Sequence, residues 1–493
     1  MLRYKVYEVV THPKFPSYSY KLSLVGFFVA LYLWMNPQYI AERAFVSENA
    51  LTAQTQSHRV LGSDIGEQVQ SMEYFELTEL EGTGVYTDLV RASRSSGEDC
   101  VAFLFPYSNK TLTLTLASDF KKYLEKDHSW LGTNVLLIFY NSSEPYSRGF
   151  RNWLDSYFQE PRKYFGLIRL AIQFDLNDQF EYLTLDPSGL NSVQTDIDML
   201  VSMLKLFQKT KLPLKYPYVP EQFKKASKSF HHSLASWKNL VFPNVDSPHA
   251  YLLEKGILSV SVKSIGSQKN LFESRLELLK FLELSTRTFT ALDEQLHAGY
   301  YFYYFSEPWQ MVPLGKYSYL IAGLILPLVL QGIMILRSKW FDKEAMVLAV
   351  LPFVVSESLN LFTNKECGSE PPKLVWLLFT LSPFLYKTFV KEIDWEVYKA
   401  YSNFAMALGL FTTSLHILPL ALLFSPLVLV KLFLRKINNY KLKGAVSPLL
   451  AVVFGVLPVQ LAWNTEACSG HRVFSEGSRL LISSFWQLGF LIV

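Results

Sequence analysis

Cysteine, charge and catalytic motifs are all sparse in this sequence. Its 493 residues include only three cysteines, too few for a framework of disulfide bonds. Charged residues make up 18% of the chain and the net charge is +4, so no strongly basic character points to nucleic acid. The patterns G-x-S-x-G, H-E-x-x-H, G-x-G-x-x-G and the P-loop do not occur. These absences argue against nucleic-acid binding and against the enzyme classes that such motifs mark.

Apolar sequence, in contrast, is abundant and unevenly distributed. Half of the residues are hydrophobic, and residues 22–41 form an uncharged run of the ~20 residues that a helix needs to cross a bilayer. A largely polar stretch follows, and then further apolar runs at 317–336, 345–362, 374–386, 400–430, 445–465 and 480–493. The pattern predicts a cytosolic N-terminus with a first transmembrane helix at 1–42, a globular domain at 43–312 and a transmembrane bundle at 313–493.

The number of spans depends on residues 400–430, which are long for one pass and contain Pro419 and Pro426. A hairpin of two short passes fits this segment better and gives eight transmembrane helices in all. Basic residues cluster before the first span and after the second, fourth and sixth. Eight passes place all of these clusters in the cytosol, as the positive-inside rule expects. The globular domain then lies on the lumenal side.

The first span is interpreted as a retained signal anchor, because a long N-terminal region precedes it and no clear A-x-A cleavage pattern follows. A cleaved signal peptide is the alternative. Either one sends residues 43–312 across the membrane. Two N-x-S/T sequons, at Asn109 and Asn141, fall inside this domain and are candidate glycosylation sites.

The three cysteines fall in two different settings. Cys367 and Cys468 lie in short loops that the eight-span topology assigns to the lumen, an oxidising compartment. They are a candidate disulfide, and two unpaired thiols are the alternative. Cys100 opens an apolar strand and has no histidine near it in the sequence. We therefore expect it to be a small buried residue and not a nucleophile.

Within 43–312, short runs of branched and aromatic residues alternate with amphipathic segments. Asn191 or Ser192 is expected to cap the helix that follows them. The alternation predicts an α/β domain with a largely parallel sheet and helices on both faces. Strands are predicted at 85–90, 101–105, 135–140, 167–174 and 180–185, and helices at 117–124, 150–158, 193–207, 220–240 and 268–298.

An aromatic cluster at 300–309 precedes the second span. Tyrosine and tryptophan concentrate where lipid headgroups meet hydrocarbon. The cluster therefore predicts an interfacial belt, and a buried strand is the alternative.

The domain offers no recognisable set of metal ligands. A zinc site needs histidines and carboxylates that converge at strand ends. The strand 101–105 continues into PYSNK without a histidine or an acid, and Glu144 is a lone carboxylate after strand 135–140. His231 and His232 are adjacent, so on a helix they point about 100° apart and are expected on its surface. We predict no catalytic residue, no bound metal and no cofactor.

Several short motifs, in this order along the chain, resemble the family of GPI-anchor attachment proteins, the non-catalytic multi-spanning subunits of the GPI transamidase complex. SENA (47–50) follows the first span and GVY (84–86) opens the first strand. FRNWLDSYF (150–158) is similar to a W-L-E-A-Y helix of that family, and LDPSGLN with DIDML (185–200) is similar to its strand, G-L-N turn and acidic helix. LDEQLHAGYYFYYF (292–305) resembles the family's entry into the membrane bundle.

The resemblance implies a lumenal domain similar to M28-type zinc aminopeptidases, in a multi-pass protein of the endoplasmic reticulum membrane. It implies as partners the other transamidase subunits, including a separate caspase-like catalytic chain. The GPI glycolipid and the proproteins whose C-terminal signals it replaces are implied as well. The alternative is a membrane-anchored M28-type zinc metallopeptidase, which would need ligands that we do not find. A lipid transporter would need paired repeats of spans, which are not evident.

The third predicted span carries a polar stripe. Glu357, Asn360 and Asn364 are spaced i, i+3 and i+7, so they share one helix face. A carboxylate inside hydrocarbon costs at least ~2.5 kcal/mol, so the stripe is expected to face protein or water. These residues and His416 are candidates for binding GPI. The alternative is a hydrogen bond between helices, from Glu357 to His416 or Thr412, that only holds the bundle together.

Overall fold

The computed structural model describes the chain at residues 15–44, 78–79, 84–92, 99–107, 111–126, 130–141, 148–159, 166–189, 193–216, 228–241, 247–266, 271–290, 303–307, 309–338, 346 and 395–416. These residues fall into two compact units. The first contains the described residues from Ala41 to Pro313, and the second contains those up to Ile40 and from Leu314 onward. We call them the α/β unit and the helical unit.

Strands and helices alternate along the α/β unit, and the helical unit contains helices only, in the part of the chain that the structure describes. The strands are β1 (Glu42–Arg43), β2 (Thr78–Glu79), β3 (Tyr86–Val90), β4 (Asp99–Pro106), β5 (Asn134–Tyr140), β6 (Leu167–Asp175), β7 (Tyr182–Asp186), β8 (Leu258–Ile265), β9 (Tyr303–Glu307) and β10 (Gln310–Pro313). The helices are α1 (Phe15–Met35), α2 (Thr111–Lys126), α3 (Arg148–Gln159), α4 (Ile197–Thr210), α5 (Lys228–Val241), α6 (Pro248–Glu254), α7 (Leu271–Thr290), α8 (Leu314–Ser338) and α9 (Trp395–His416).

A seven-stranded sheet with the order β2-β3-β5-β4-β6-β8-β7 forms the centre of the α/β unit. The four central strands are parallel, and β3, β2 and β7 are antiparallel to their neighbours. The five predicted strands are present, but the sheet is mixed rather than largely parallel. A run of apolar residues indicates a buried strand but does not indicate the direction of that strand in the sheet. The sequence therefore did not distinguish the antiparallel strands from the parallel ones.

Helices cover both faces of this sheet. One face, which carries Phe103 and Phe105 of β4, packs against α2, α4 and α7. The opposite face, which carries Ala102 and Leu104, packs against α3 and α6. Successive residues of a strand point to opposite faces, so burial on both sides explains why β4 is apolar at nearly every position. The prediction of helices on both faces is confirmed.

The N-cap of α4 differs from the prediction. Asp196 occupies that position, and its carboxylate accepts a hydrogen bond of 2.9 Å from the backbone nitrogen of Asp198. The expected caps, Asn191 and Ser192, lie outside the described residues. An aspartate before the apolar run satisfies one of the free amides of the first turn.

The interfacial belt predicted for 300–309 is wrong at Tyr303, Tyr304 and Phe305. These residues form β9 in a small antiparallel sheet of order β1-β10-β9, and at most 2% of each is exposed. The Tyr304 ring packs edge-on against Trp237 of α5 at 5.3 Å. The Tyr303 hydroxyl donates to the Thr195 carbonyl at 3.0 Å. The alternative of a buried strand is therefore correct here.

The helical unit contains α1, α8 and α9, and α8 packs against both of the others. A Cβ atom added to Gly323 of α8 would lie 2.8 Å from the Ala30 Cβ and 3.3 Å from the Gly26 carbonyl oxygen. The glycine thus allows α1 and α8 to approach closely. On the side of α9, the Asn403 Nδ2 donates to the Gln331 Oε1 at 2.9 Å, and both residues are buried.

Among the described residues, one helix is long and apolar enough to cross a bilayer, at Leu314–Leu336. A shorter apolar helical segment covers Lys21–Met35. The third predicted span apart from residue 346, the part of 400–430 after His416, and the fourth, seventh and eighth spans lie outside the described residues. The bundle of about eight helices therefore stays a prediction.

Candidate functional site

A buried polar network lies on one face of the sheet, across β6, β8 and β7. Gln173 of β6 is paired with Ser261 of β8, and Ser261 is paired with Asp186 of β7. Directly opposite residues on neighbouring strands point to the same face. Gln173 lies near the carboxyl end of β6, one of the parallel strands, whereas Asp186 ends β7, which runs antiparallel to them. In α/β sheets the carboxyl ends of the parallel strands are the usual place for a binding site.

His249 of α6 is the centre of this network and is fully buried. Its Nε2 atom lies 3.0 Å from the Ser188 carbonyl oxygen, and its Nδ1 atom lies 2.6 Å from the Ser247 Oγ. A carbonyl oxygen can only accept, so Nε2 carries the proton and Nδ1 is an acceptor. The one proton of the Ser247 hydroxyl therefore lies between two acceptors, His249 Nδ1 and Gln173 Oε1. The backbone nitrogen of His249 donates to the Gln173 Oε1 at 3.0 Å. Both ring nitrogens are therefore already used in hydrogen bonds.

The histidine is neutral although a carboxylate is nearby. Burial lowers the pKa of His249 to about 4, and the negative charge of Asp186 opposes this shift without cancelling it. The distance from Nε2 to the Asp186 Oδ1 is 3.9 Å, too long for a hydrogen bond. Asp186 pairs instead with Lys263 of β8. Burial opposes its ionisation, but the Lys263 ammonium and the hydrogen bond from the Ser188 backbone nitrogen hold the pKa of the Asp186 carboxyl below its usual value.

Gln173 connects the network to β5 and to the start of α6. Its Nε2 donates to the Tyr140 hydroxyl at 2.8 Å, and its Oε1 lies 2.8 Å from the Ser247 Oγ. The turn after β7 completes the arrangement, because a Cβ added to Gly189 would lie 2.8 Å from the Leu253 Cβ of α6. Only glycine lets the turn reach α6 closely enough for the Ser188 carbonyl to meet His249.

The Ser247–His249 pair has the short contact of an activated nucleophile, but its surroundings do not fit that role. A serine nucleophile needs a base whose other nitrogen is oriented by a third group, and it needs access to substrate. Here the other nitrogen donates to a backbone carbonyl, Ser247 is 4% exposed and His249 is 0% exposed. The network holds β6, β7 and α6 together. We find no route from it to acyl transfer.

The part of the chain that the structure describes contains no set of metal ligands. No group of three or more histidine, cysteine, aspartate or glutamate side chains there is arranged to hold an ion. Cys100 is fully buried in β4, where burial raises the pKa of its thiol to about 12. A thiol of that pKa is protonated at neutral pH, so the expectation of a small buried residue is confirmed.

The other predicted site residues lie partly inside and partly outside the described part of the chain. Asn141 directly follows β5 and is half-buried, and His231 and His232 lie half-buried on α5. His416 ends α9, and its side chain is not described. The residues that lie outside the described part of the chain are Asn109, Glu144, Glu357, Asn360, Asn364, Cys367 and Cys468.

Sequence reasoning missed the polar network. Gln173 and His249, for example, are 76 positions apart, and nothing local links them. One signal was present in LSVSVKSI, where valine alternates with serine or lysine. That alternation indicates a strand with one apolar and one polar face.

Comparison with known proteins gives a clear match at the level of family. The sequence profile described as "Gaa1-like, GPI transamidase component" matches residues 81–456. No curated protein matches the sequence.

Two solved structures of peptidases show a low similarity. The LapA aminopeptidase of Legionella pneumophila has a TM-score of 0.29 and 10% identity, over 58% of this chain and 74% of that one. A putative Zn-dependent exopeptidase from Bacteroides vulgatus has a TM-score of 0.28 and 11% identity, over 50% of this chain and 99% of that one. Similarities of this size carry no argument about function.

Proposed function

Because the chain belongs to the Gaa1-like family of GPI transamidase components, we propose that it is a non-catalytic subunit that helps to assemble the transamidase and presents the GPI lipid. The single observation that carries this proposal is the extent of the match. Residues 81–456 include most of the α/β unit together with α8 and α9. The family assignment therefore covers both units and not one domain alone.

The location follows from the family and from the apolar sequence. The family implies the membrane of the endoplasmic reticulum, and α8 has the length and composition of a membrane span. We propose that the chain crosses this membrane several times, with about eight spans, and that the α/β unit lies in the lumen. The basic clusters beside the predicted spans support this orientation.

In this proposal the chemistry belongs to another chain. Exchange of a proprotein's C-terminal signal for GPI needs a nucleophile that substrate can reach. The Ser247 hydroxyl lies under α6 and is hydrogen-bonded, and the buried Cys100 thiol is protonated. We propose that a caspase-like catalytic subunit supplies the nucleophile. The proproteins with C-terminal GPI signals are then substrates of the complex.

The experiment that tests the proposal is complementation of cells that lack the protein. Wild-type chain and a Ser247→Ala variant are expressed, and two readouts are taken together: co-purification of transamidase subunits and surface display of a GPI-anchored reporter. Both readouts are expected to be restored by wild type, and Ser247→Ala is expected to keep reporter display in proportion to the folded protein. A variant that assembles normally but displays no reporter would contradict the non-catalytic role. Absence of transamidase subunits from the wild-type purification would contradict the proposal as a whole.

The candidates for contact with GPI remain the polar stripe of the third predicted span and His416. Glu357→Gln and Asn360→Ala test them in the same cells, and Asn364 belongs to the same face. Normal assembly with lost reporter display supports contact with the lipid. Lost assembly supports a hydrogen bond that only joins helices.

A further inference from the structure

A cavity of about 500 Å³ lies on the α/β unit beside α4 and α7. Four of its lining residues, Ser202, Lys205, Leu206 and Lys209, are spaced i, i+3, i+4 and i+7 and so share one face of α4. Gln208 of α4 and Thr288 of α7 complete the lining. The cavity is separate from the polar network described above. Its walls combine cations with neutral hydrogen-bonding groups.

The positive charge at this cavity is concentrated. Burial lowers the pKa of the Lys205 ammonium, and the charges of Arg43 and Lys209 lower it further. Arg43 belongs to β1, so cations from two elements lie close enough to act on Lys205. Asp198 acts in the opposite direction and is the weakest of these influences. Like charges at i and i+4 of a helix destabilise it, and residues that oppose stability are typical of binding sites.

Ser202 provides a second and independent observation. Only 3% of this residue is exposed, and it lines the cavity. Its hydroxyl has no hydrogen-bond partner among the described residues. A buried hydroxyl without a hydrogen-bond partner lowers the stability of the fold. Such a group usually forms its hydrogen bond to a ligand or a water molecule in the functional state.

We propose that this cavity binds the phosphate ester of a polyol, with Lys205 and Lys209 on the phosphate and Ser202, Gln208 and Thr288 on the hydroxyl groups. Charge-assisted hydrogen bonds from ammonium groups are the strong contacts to phosphate oxygens. The volume lies within the roughly 300–1,000 Å³ of small-molecule pockets, so it holds a phosphate together with a ring of the size of inositol or a hexose. Arg43, which is close enough to act on Lys205, adds long-range attraction for an anion. The ester is either the headgroup of a lipid or a soluble molecule, and the chemistry of recognition is the same.

The test uses the purified full-length protein in an uncharged detergent. Binding of myo-inositol 1-phosphate is measured by calorimetry, and inorganic phosphate and phosphatidylinositol in mixed micelles are then used as competitors. Lys205→Gln and Lys209→Gln are each expected to weaken binding about ten-fold, since each removes one charge-assisted contact. The double variant is expected to abolish measurable binding. Lys126→Gln is the matched control, because Lys126 is an exposed lysine in the last turn of α2 and does not line the cavity.

Ser202→Ala serves where the lysine variants fold poorly. It removes only the hydroxyl, and it is expected to weaken the inositol ester more than inorganic phosphate. Displacement of the probe by phosphatidylinositol but not by phosphatidylcholine identifies a lipid headgroup as the source. Displacement only by soluble esters identifies a soluble ligand, and both results support the site. The proposal is overturned if the wild type binds no probe, or if the double variant binds as the wild type does.

Discussion

The two units bury their polar groups in different ways. In the α/β unit, Gln173 alone contacts three partners, and the network around it joins strands, a turn and a helix. In the helical unit, α8 contacts α9 at the buried pair Gln331–Asn403 and contacts α1 at the close approach of Gly323. Removal of apolar surface from water stabilises the first unit. In the proposed membrane bundle that driving force between helices is absent, so close packing and a few polar pairs must act instead.

The largest expected difference comes from the same substitution in each unit. Leu137 of β5 and Leu328 of α8 are both 0% exposed. Leu137→Ala is expected to lower the free energy of unfolding by about 2.7–5 kcal/mol, because it loses both transfer free energy and packing. Leu328→Ala is expected to cost clearly less, because lipid replaces water as the surrounding solvent. Urea titrations with pulse proteolysis, read separately for fragments of each unit, measure both. Equal losses would show that the helical unit is stabilised as a water-soluble core is.

The second prediction removes polar partners. Gln173→Leu removes a hydrogen-bond partner from the Tyr140 hydroxyl, the Ser247 hydroxyl and the His249 backbone nitrogen. Each buried group left without its partner costs about 1–3 kcal/mol. The free energy of unfolding is therefore expected to fall by about 3 kcal/mol or more. Asn403→Ala leaves only Gln331 without its partner. The expected loss there is about 0.6 kcal/mol and at most about 1.7 kcal/mol. A double-mutant cycle with Gln331→Ala isolates the pair. A coupling energy near zero would show that this hydrogen bond contributes nothing to the bundle.

The third prediction concerns pH. The pKa of His249 falls from 6.5 to about 4 on folding, so between these values the unfolded chain binds the extra proton and the folded chain does not. The α/β unit is therefore expected to lose about 3 kcal/mol as the pH falls from 6.5 to 4, at ~1.36 kcal/mol per pKa unit. Asp186, whose pKa is lowered, acts in the same direction at lower pH.

The control for this prediction is His249→Gln, which keeps a donor for the Ser188 carbonyl and does not titrate. The difference between wild type and variant in unfolding free energy is expected to change across pH 4 to 6.5. The described side chains of the helical unit include no buried histidine, so proteolysis of that unit should not follow the same pH profile. A pH-independent difference would contradict a neutral His249 in the folded state.

The fourth prediction tests the approach of α1 to α8. Gly323→Ala places a methyl group 2.8 Å from the Ala30 Cβ, and such overpacking typically costs about 1–3 kcal/mol. Alanine gains about 1 kcal/mol of helix propensity over glycine, so a net loss near 1 kcal/mol is expected. Gly315→Ala is the control, since nothing lies within 4 Å of its added Cβ. Unchanged thermal stability of Gly323→Ala would mean that α1 packs less closely than described.

Much of the α/β unit follows from local sequence. The apolar runs of β3 to β7 are long and rich in branched and aromatic residues, so they were predicted within a few positions. The directions of β3 and β7 were not, because strand direction depends on connections that a run of residues does not encode. The same limit applies to Tyr303 and Tyr304, whose composition is typical of both a membrane interface and a buried strand.

The polar network and the cavity were beyond local reasoning for a different physical reason. Both depend on residues far apart in the sequence that the fold brings together, such as Asp186 with Lys263 in the network and Ser202 with Thr288 at the cavity. Lys205 and Lys209 are ordinary in a helix that is solvated on one side. Only the packing of α4 against α7 shows that both lysines line one cavity together with Ser202 and Thr288.

The pairing of β1 with β10 sets an order of events during synthesis. Glu42 pairs with Met311, about 270 residues later in the sequence. The first strand of the α/β unit to be synthesised must therefore wait until the last one has been made before the two can pair. At about 5–20 residues per second, this wait lasts roughly 13 to 54 s. Throughout that time the edge of β1 has no partner from its own sheet, and a nascent chain halted before Gln310 never supplies one. The small sheet therefore closes only when α8, which begins at Leu314, has started to leave the ribosome. Closure of this sheet therefore marks a completed α/β unit.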